Sequence, residues 1–116
     1  MNTGCLGRHL LAELHGIAAE RLSNPGRLEE ILRDAAQEAG ATVLFAHFHH
    51  FGAGQGVTGV LLLKESHISI HTWPEHGYAA VDVFMCGDAR PELAVEMMVQ
   101  CLEAGRVEVR EILRGV

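Results

Sequence analysis

Positive charge is scarce in this chain: nine Lys+Arg stand against fifteen Asp+Glu, a formal net charge of −6. With no basic run to override that average, nucleic acid and anionic membrane surfaces are disfavoured as partners. Long apolar runs are missing too. The stretch around Val60–Leu63 falls far short of the ~20 residues a membrane helix needs, and no charged-then-apolar leader opens the chain, so a cytoplasmic protein is expected. Cysteine is sparse and irregular: Cys5, Cys86 and Cys101 suggest neither a disulfide framework nor a CxxC metal site, and their odd number leaves at least one thiol free. With 116 residues there is room for a single domain, because a second core takes roughly another 100. What the chain has in plenty is histidine, eight in all, six of them between His47 and His76.

Two stretches have helical period. Leu28, Ile31, Leu32, Ala35, Ala36 and Ala39 form one stripe between Pro25 and Gly40, with Asn24 placed to cap it. Ala94, Met97, Met98, Cys101 and Leu102 form another between Pro91 and Gly105, its Met and Cys reading as packing residues. Strand character fills Gly7–Leu14, Thr42–Phe51, Val57–Lys64, His67–Trp73, Tyr78–Cys86 and Val107–Leu113. Strands clustered between two helices predict an α+β two-layer sandwich, a mainly antiparallel sheet with both helices on one face. Because strands such as Val60-Leu61-Leu62-Leu63 are apolar on both sides, the open sheet face is expected to pack against a second copy, giving a four-layer α/β/β/α homodimer.

Three segments could carry chemistry. Gly52-Ala53-Gly54-Gln55-Gly56 resembles a phosphate cradle, but a strand follows where a helix is needed, so a hairpin connection is expected. In His47-Phe48-His49-His50, alternation sets His47 and His49 on one face and His50 on the other. A metal would need a third well-placed ligand, with His67 and His71 the nearest in sequence. A subunit interface or pocket wall is the simpler role, and no metal is assigned. The densest segment runs from Lys64 to Glu75. From Ser66 onward, alternation sends Ser66, Ile68 and Ile70 to one side and His67, Ser69 and His71 to the other. Buried without partners, these polar groups would each cost about 1–3 kcal/mol. No GxSxG elbow supports a serine hydrolase.

Taken together, Glu65-Ser-His-Ile-Ser-Ile-His-Thr-Trp-Pro-Glu75, Gly77-Tyr-Ala-Ala-Val-Asp-Val-Phe84 and Cys86-Gly87-Asp88 resemble the signature of bacterial and archaeal S-adenosylmethionine decarboxylase proenzymes. The likeness extends to Leu6-Gly-Arg-His-Leu-Leu-Ala-Glu13, Phe48-His49 with Phe51, and Arg106-Val-Glu-Val. It implies an enzyme that makes its own pyruvoyl cofactor by cleaving its backbone at Glu65–Ser66, leaving chains 1–65 and 66–116. By this resemblance Ser66 attacks the Glu65 carbonyl, His71 accepts the proton removed in the β-elimination that follows, and Thr58 stands where the family keeps a processing serine. The pyruvoyl group then holds substrate as a Schiff base and serves as electron sink. Cys86 corresponds to the proton donor in decarboxylation, Glu75 to the ribose-binding carboxylate, Phe51 to the aromatic stacked on adenine, and His67 to a site-lining residue. The implied substrate is S-adenosylmethionine, its product the aminopropyl donor for spermidine.

Some positions depart from the pattern. The loop from Phe51 to Thr58 is one residue longer and richer in glycine, His76 replaces a common tyrosine, and the chain stops soon after Arg114. A pyruvoyl-dependent ornithine or arginine decarboxylase on the same scaffold is the alternative enzyme, and a metal-binding module with histidine ligands the non-enzymatic one. Phe51 and Glu75 favour the nucleoside substrate.

Overall fold

The computed structural model describes residues 4–116. Its elements run β1 (Gly7–His15), α1 (Ala19–Leu22), α2 (Pro25–Glu38), β2 (Val43–His50), β3 (Val57–Leu63), β4 (Ser66–Trp73), a 3-10 turn (Pro74–His76), β5 (Tyr78–Cys86), α3 (Pro91–Leu102) and β6 (Arg106–Arg114). The six strands form one antiparallel sheet in the order β2-β3-β4-β5-β1-β6.

The apolar stripe of α2 is the face it buries: Leu28, Ile31, Leu32, Ala35 and Ala36 are all inaccessible. The Asn24 side chain accepts the Arg27 N–H at 3.1 Å, satisfying one of the amides a helix start leaves unpaired. In α3, Met98 is fully buried while Met97 and Cys101 pack against the core, as expected of packing residues. This helix stops at Leu102, earlier than Gly105 suggested, because Glu103 takes a left-handed conformation (φ +53°) and caps it. Gly105 instead donates its N–H to the His15 carbonyl at 2.8 Å and starts β6.

Leu10, Ala12, Leu14, Leu61, Ile68, Ile70, Val81 and Val83 point under the helices and are buried, each worth about 1.5–3 kcal/mol for a fully covered large aliphatic. Their alternate neighbours, Thr58, Val60, Leu62, His67, Ser69, His71, Asp82 and Phe84 among them, lie on the opposite face, which no helix among the described residues covers. The faces predicted for Ile68/Ile70 and for His67/Ser69/His71 are thus the observed ones. So is the split of His47 and His49, opposite Val60 and Thr58, from His50, opposite buried Val57.

The four-residue α1 had no sequence signal. It is tied down by Thr72, whose buried hydroxyl donates to the Leu22 carbonyl at 2.6 Å and accepts the Val57 N–H at 2.9 Å. The connection after β2 is a closed hairpin loop, with Phe51 N–H bonded to the Gly56 carbonyl (3.1 Å) and Gln55 N–H to that of Gly52 (2.8 Å). A Cβ on Gly56 would collide with the Thr72 carbonyl oxygen, so only glycine lets the loop return this close to β4.

Candidate active site

Lys64 and Glu65 form a two-residue turn between β3 and β4, with Leu63 paired to Ser66. Glu65 sits at φ +62°, a left-handed conformation that costs a non-glycine residue of order 1–3 kcal/mol and persists only where its surroundings impose it. The tight turn itself calls for that conformation at its second residue, and against it lies Cys86, at the end of the neighbouring strand β5. Its thiol donates to the Glu65 carbonyl oxygen at 3.0 Å, and its backbone N–H donates to Ser66 Oγ at 3.3 Å. One residue therefore holds both the carbonyl and the hydroxyl flanking the Glu65–Ser66 bond. A donor on that oxygen lies where negative charge develops when a nucleophile attacks the carbonyl.

Four other predicted residues gather elsewhere. Thr58 Oγ1 and His71 Nδ1 are hydrogen-bonded at 3.2 Å, and both line a cleft of about 240 Å³ with Phe51 and Glu75. The cleft also takes Trp73 and Gln55, which the sequence did not single out. Phe51 is 61% exposed, with the His49 ring edge-on at 4.6 Å. Trp73 stacks on Tyr78 (5.3 Å) and Tyr78 on His15 (5.0 Å). With Glu13 and His76 these three rings surround an adjoining hollow of about 600 Å³. The Tyr78 hydroxyl donates to Glu13, and that bond, aided by burial, pushes its pKa up to about 12.

The two groups are far apart. His71 is five residues beyond Ser66 on β4, about 16 Å at the usual strand rise of 3.3 Å per residue. Within one chain, His71 does not reach the Ser66 backbone.

Between the two groups lies a polar cluster that contains His67, expected to line the site, together with partners that sequence reading missed. Asp82 Oδ2 accepts from His9 Nε2 (2.7 Å) and His67 Nε2 (3.0 Å), while Ser69 Oγ donates to Oδ1. Burial pushes the Asp82 carboxyl up, but bonds from Ser69, His67 and His9 together outweigh it and hold it below its ordinary value. The Phe84 ring touches both imidazoles, at 5.5 Å from His9 and 6.0 Å from His67, and takes the Arg114 guanidinium at 5.8 Å. A Cβ on Gly7 would strike this ring. The alternation of β5 aligned Asp82 with Phe84 and Cys86, yet its partners on β1 and β4 follow only from strand order and register. The donor atoms of His9, His67 and Asp82 lie within 4.8 Å of one another. This is not the metal set weighed from sequence, since His47, His49 and His71 are not in it.

A family model described as S-adenosylmethionine decarboxylase matches residues 8–115. The chain belongs to that family. S-adenosylmethionine decarboxylase proenzymes similar to it include those of Clostridium kluyveri, 48% identical over 96% of this chain and 88% of the relative, and Moorella thermoacetica, 49% identical over 96% and 89%. The crystal structure of the adenosylmethionine decarboxylase from Aquifex aeolicus superposes with a TM-score of 0.91 at 38% identity, covering 98% of this chain and 94% of that one. Each of these names specifies S-adenosylmethionine, and none points to ornithine or arginine. No helix among the described residues is long and apolar enough to cross a membrane.

Proposed function

We propose that this chain is a proenzyme that cuts itself between Glu65 and Ser66 and then decarboxylates S-adenosylmethionine, yielding the decarboxylated aminopropyl donor for polyamine synthesis. The observation that carries the reading is the Cys86 clamp on a left-handed Glu65. Ser66 Oγ attacks the Glu65 carbonyl carbon, converting the peptide to an ester, and the Cys86 thiol steadies the oxygen that takes up charge. Loss of the Ser66 Cα proton then expels the Glu65 carboxylate. Its acceptor is His71, held by Thr58 at 3.2 Å, in a threonine-for-serine exchange that keeps the hydroxyl.

The distance between His71 and Ser66 leads to the second part of the proposal: the site is built by two copies. An isologous dimer across the open sheet face sets the Ser66–Cys86 end of each chain against the Thr58–His71 end of the other. The apolar part of that face, with Leu62 48% exposed beside Val60, Ala80 and Phe84, gives such a pairing area to bury.

The residues around Ser66 fit a pyruvoyl group, because Cys86 holds both the hydroxyl that must leave with Glu65 and the oxygen of the carbonyl it must attack. That group supplies a ketone that holds the substrate amine and draws electrons as carbon dioxide leaves. In turnover Cys86 donates a proton to the former α-carbon. Phe51 stacks on adenine, and Glu75 accepts bonds from the ribose hydroxyls. Residue 65 becomes the C-terminus of one fragment and residue 66 the blocked N-terminus of the other, both remaining in the same sheet.

Intact-mass analysis and an assay of carbon dioxide release test this reading. The expected result is two fragments, the second beginning with pyruvoyl at 66, and release from S-adenosylmethionine but not from ornithine or arginine. A single uncut chain that releases nothing would remove the proposal.

A further inference from the structure

The Asp82 cluster has a polarity that hydrogen-bond logic alone fixes. Arg114 Nη1 lies 3.1 Å from His9 Nδ1, and a guanidinium only donates, so His9 Nδ1 is bare and its proton sits on Nε2, facing Asp82. Asp82 is an ionised acceptor with Ser69 on its other oxygen. His67, bonded to it through Nε2, must therefore carry its proton there as well. What remains is His67 Nδ1, which has no hydrogen-bond partner among the described residues and in the neutral ring carries no proton. The groups facing this ring are Leu62 from β3, Asp82 and Phe84 from β5, and His9 from β1, the last backed by Arg114 from β6. None of these offers a proton to Nδ1. The ring belongs to the residue directly after Ser66, on the same sheet face as Cys86.

We infer that Asp82 is a positioning residue which, with His9 and Ser69, locks His67 as the Nε2–H tautomer and so makes Nδ1 the proton acceptor for the substrate's α-ammonium. This rests on the decarboxylase reading and assigns that site a step it lacks. An α-amino group reaches the enzyme protonated and has no lone pair with which to attack a ketone. His67 Nδ1 takes one proton from it, leaving a free amine. The resulting imidazolium faces the Asp82 carboxylate at 3.0 Å, the arrangement by which a buried aspartate supports a histidine base in hydrolytic triads. The same proton is returned to the oxygen that departs as water, so His67 ends each cycle neutral. Cys86 as donor and His67 as acceptor, both on the open sheet face, divide the proton traffic at residue 66.

Long-range 1H–15N correlation spectra of histidine-labelled, uncleaved Ser66→Ala protein at neutral pH read the tautomer without any turnover. The expected result is Nε2–H with bare Nδ1 for both His67 and His9, and loss of the single His67 tautomer in Asp82→Asn. In cleaved enzyme, Asp82→Asn should lower kcat by about 10²-fold with KM little changed, the range of a misdirected acid–base group. If Asp82→Asn does not fold, His67→Ala on the partly exposed face serves instead, and added imidazole should restore part of its kcat. A proton on His67 Nδ1 in the wild-type ring, an undiminished kcat in Asp82→Asn, or no rescue of His67→Ala by imidazole would overturn the inference. Carbon dioxide release by the unsubstituted enzyme checks the parent reading separately from all of these.

Discussion

The two ends of the open sheet face are built in opposite ways. Around Ser66 the chain is tied together: the thiol and amide of Cys86 grip the scissile turn, and Asp82 gathers three donors beside it. Around His71 the cleft is open, Phe51 stands 61% exposed, and one bond joins Thr58 to His71. The first end is pre-organised for a reaction inside the chain. The second is shaped to receive something, and its His71 lies five residues along β4 from Ser66, out of reach of the bond it is proposed to help break. On the proposed reading, a site divided this way would keep the labile bond dormant until a second chain arrives, so that assembly and self-cleavage become one event.

Breaking the closed end should have the larger consequences. Ser66→Ala removes the nucleophile and is expected to leave only full-length chain by mass spectrometry. Cys86→Ala should slow cleavage and lower kcat by about 10²- to 10³-fold, since it deletes both the oxyanion contact and the proton donor. Unchanged turnover would take away its role. At the open end the effects should be smaller and fall on binding. Phe51→Ala and Glu75→Gln are each expected to raise KM roughly tenfold, the equivalent of one lost stacking or hydrogen-bond contact of about 1.4 kcal/mol, with cleavage intact. The smallest effect belongs to the aromatic stack beside the cleft. Tyr78 is the single tyrosine, so absorbance titration reads it alone, with an expected midpoint of about 12 that Glu13→Ala returns toward 10.0. Because the folded value is the raised one, this bond contributes stability fully below pH 10.0 and loses it as the pH climbs through about 12.

The difference between the two ends also marks how far the sequence could be read. The 3.6-residue period was enough for α2 and α3, because each buries one face, and strand character was enough for the six strands, even for β6, which is exposed along its whole length. The turn of helix at Ala19–Leu22 was too short to have a period and is held by a tertiary bond from Thr72. Ser66, Cys86, His71, Thr58, Phe51 and Glu75 were named as a set through family resemblance. Their division into two groups was not, since it depends on strand rise. Asp82 was not singled out, and its partners His9 and Ser69 lie 73 and 13 residues away along the chain and meet it only in the folded register.

Co-expression of Ser66→Ala with His71→Ala chains tests the divided site most directly. Neither variant should cleave alone, because one lacks the nucleophile and the other the proton acceptor. In mixed dimers, the account predicts that the His71→Ala chain is cut at Glu65–Ser66 while the Ser66→Ala chain stays whole. Mixed dimers verified by native mass spectrometry and still uncut, or His71→Ala cleaving at the wild-type rate by itself, would contradict it.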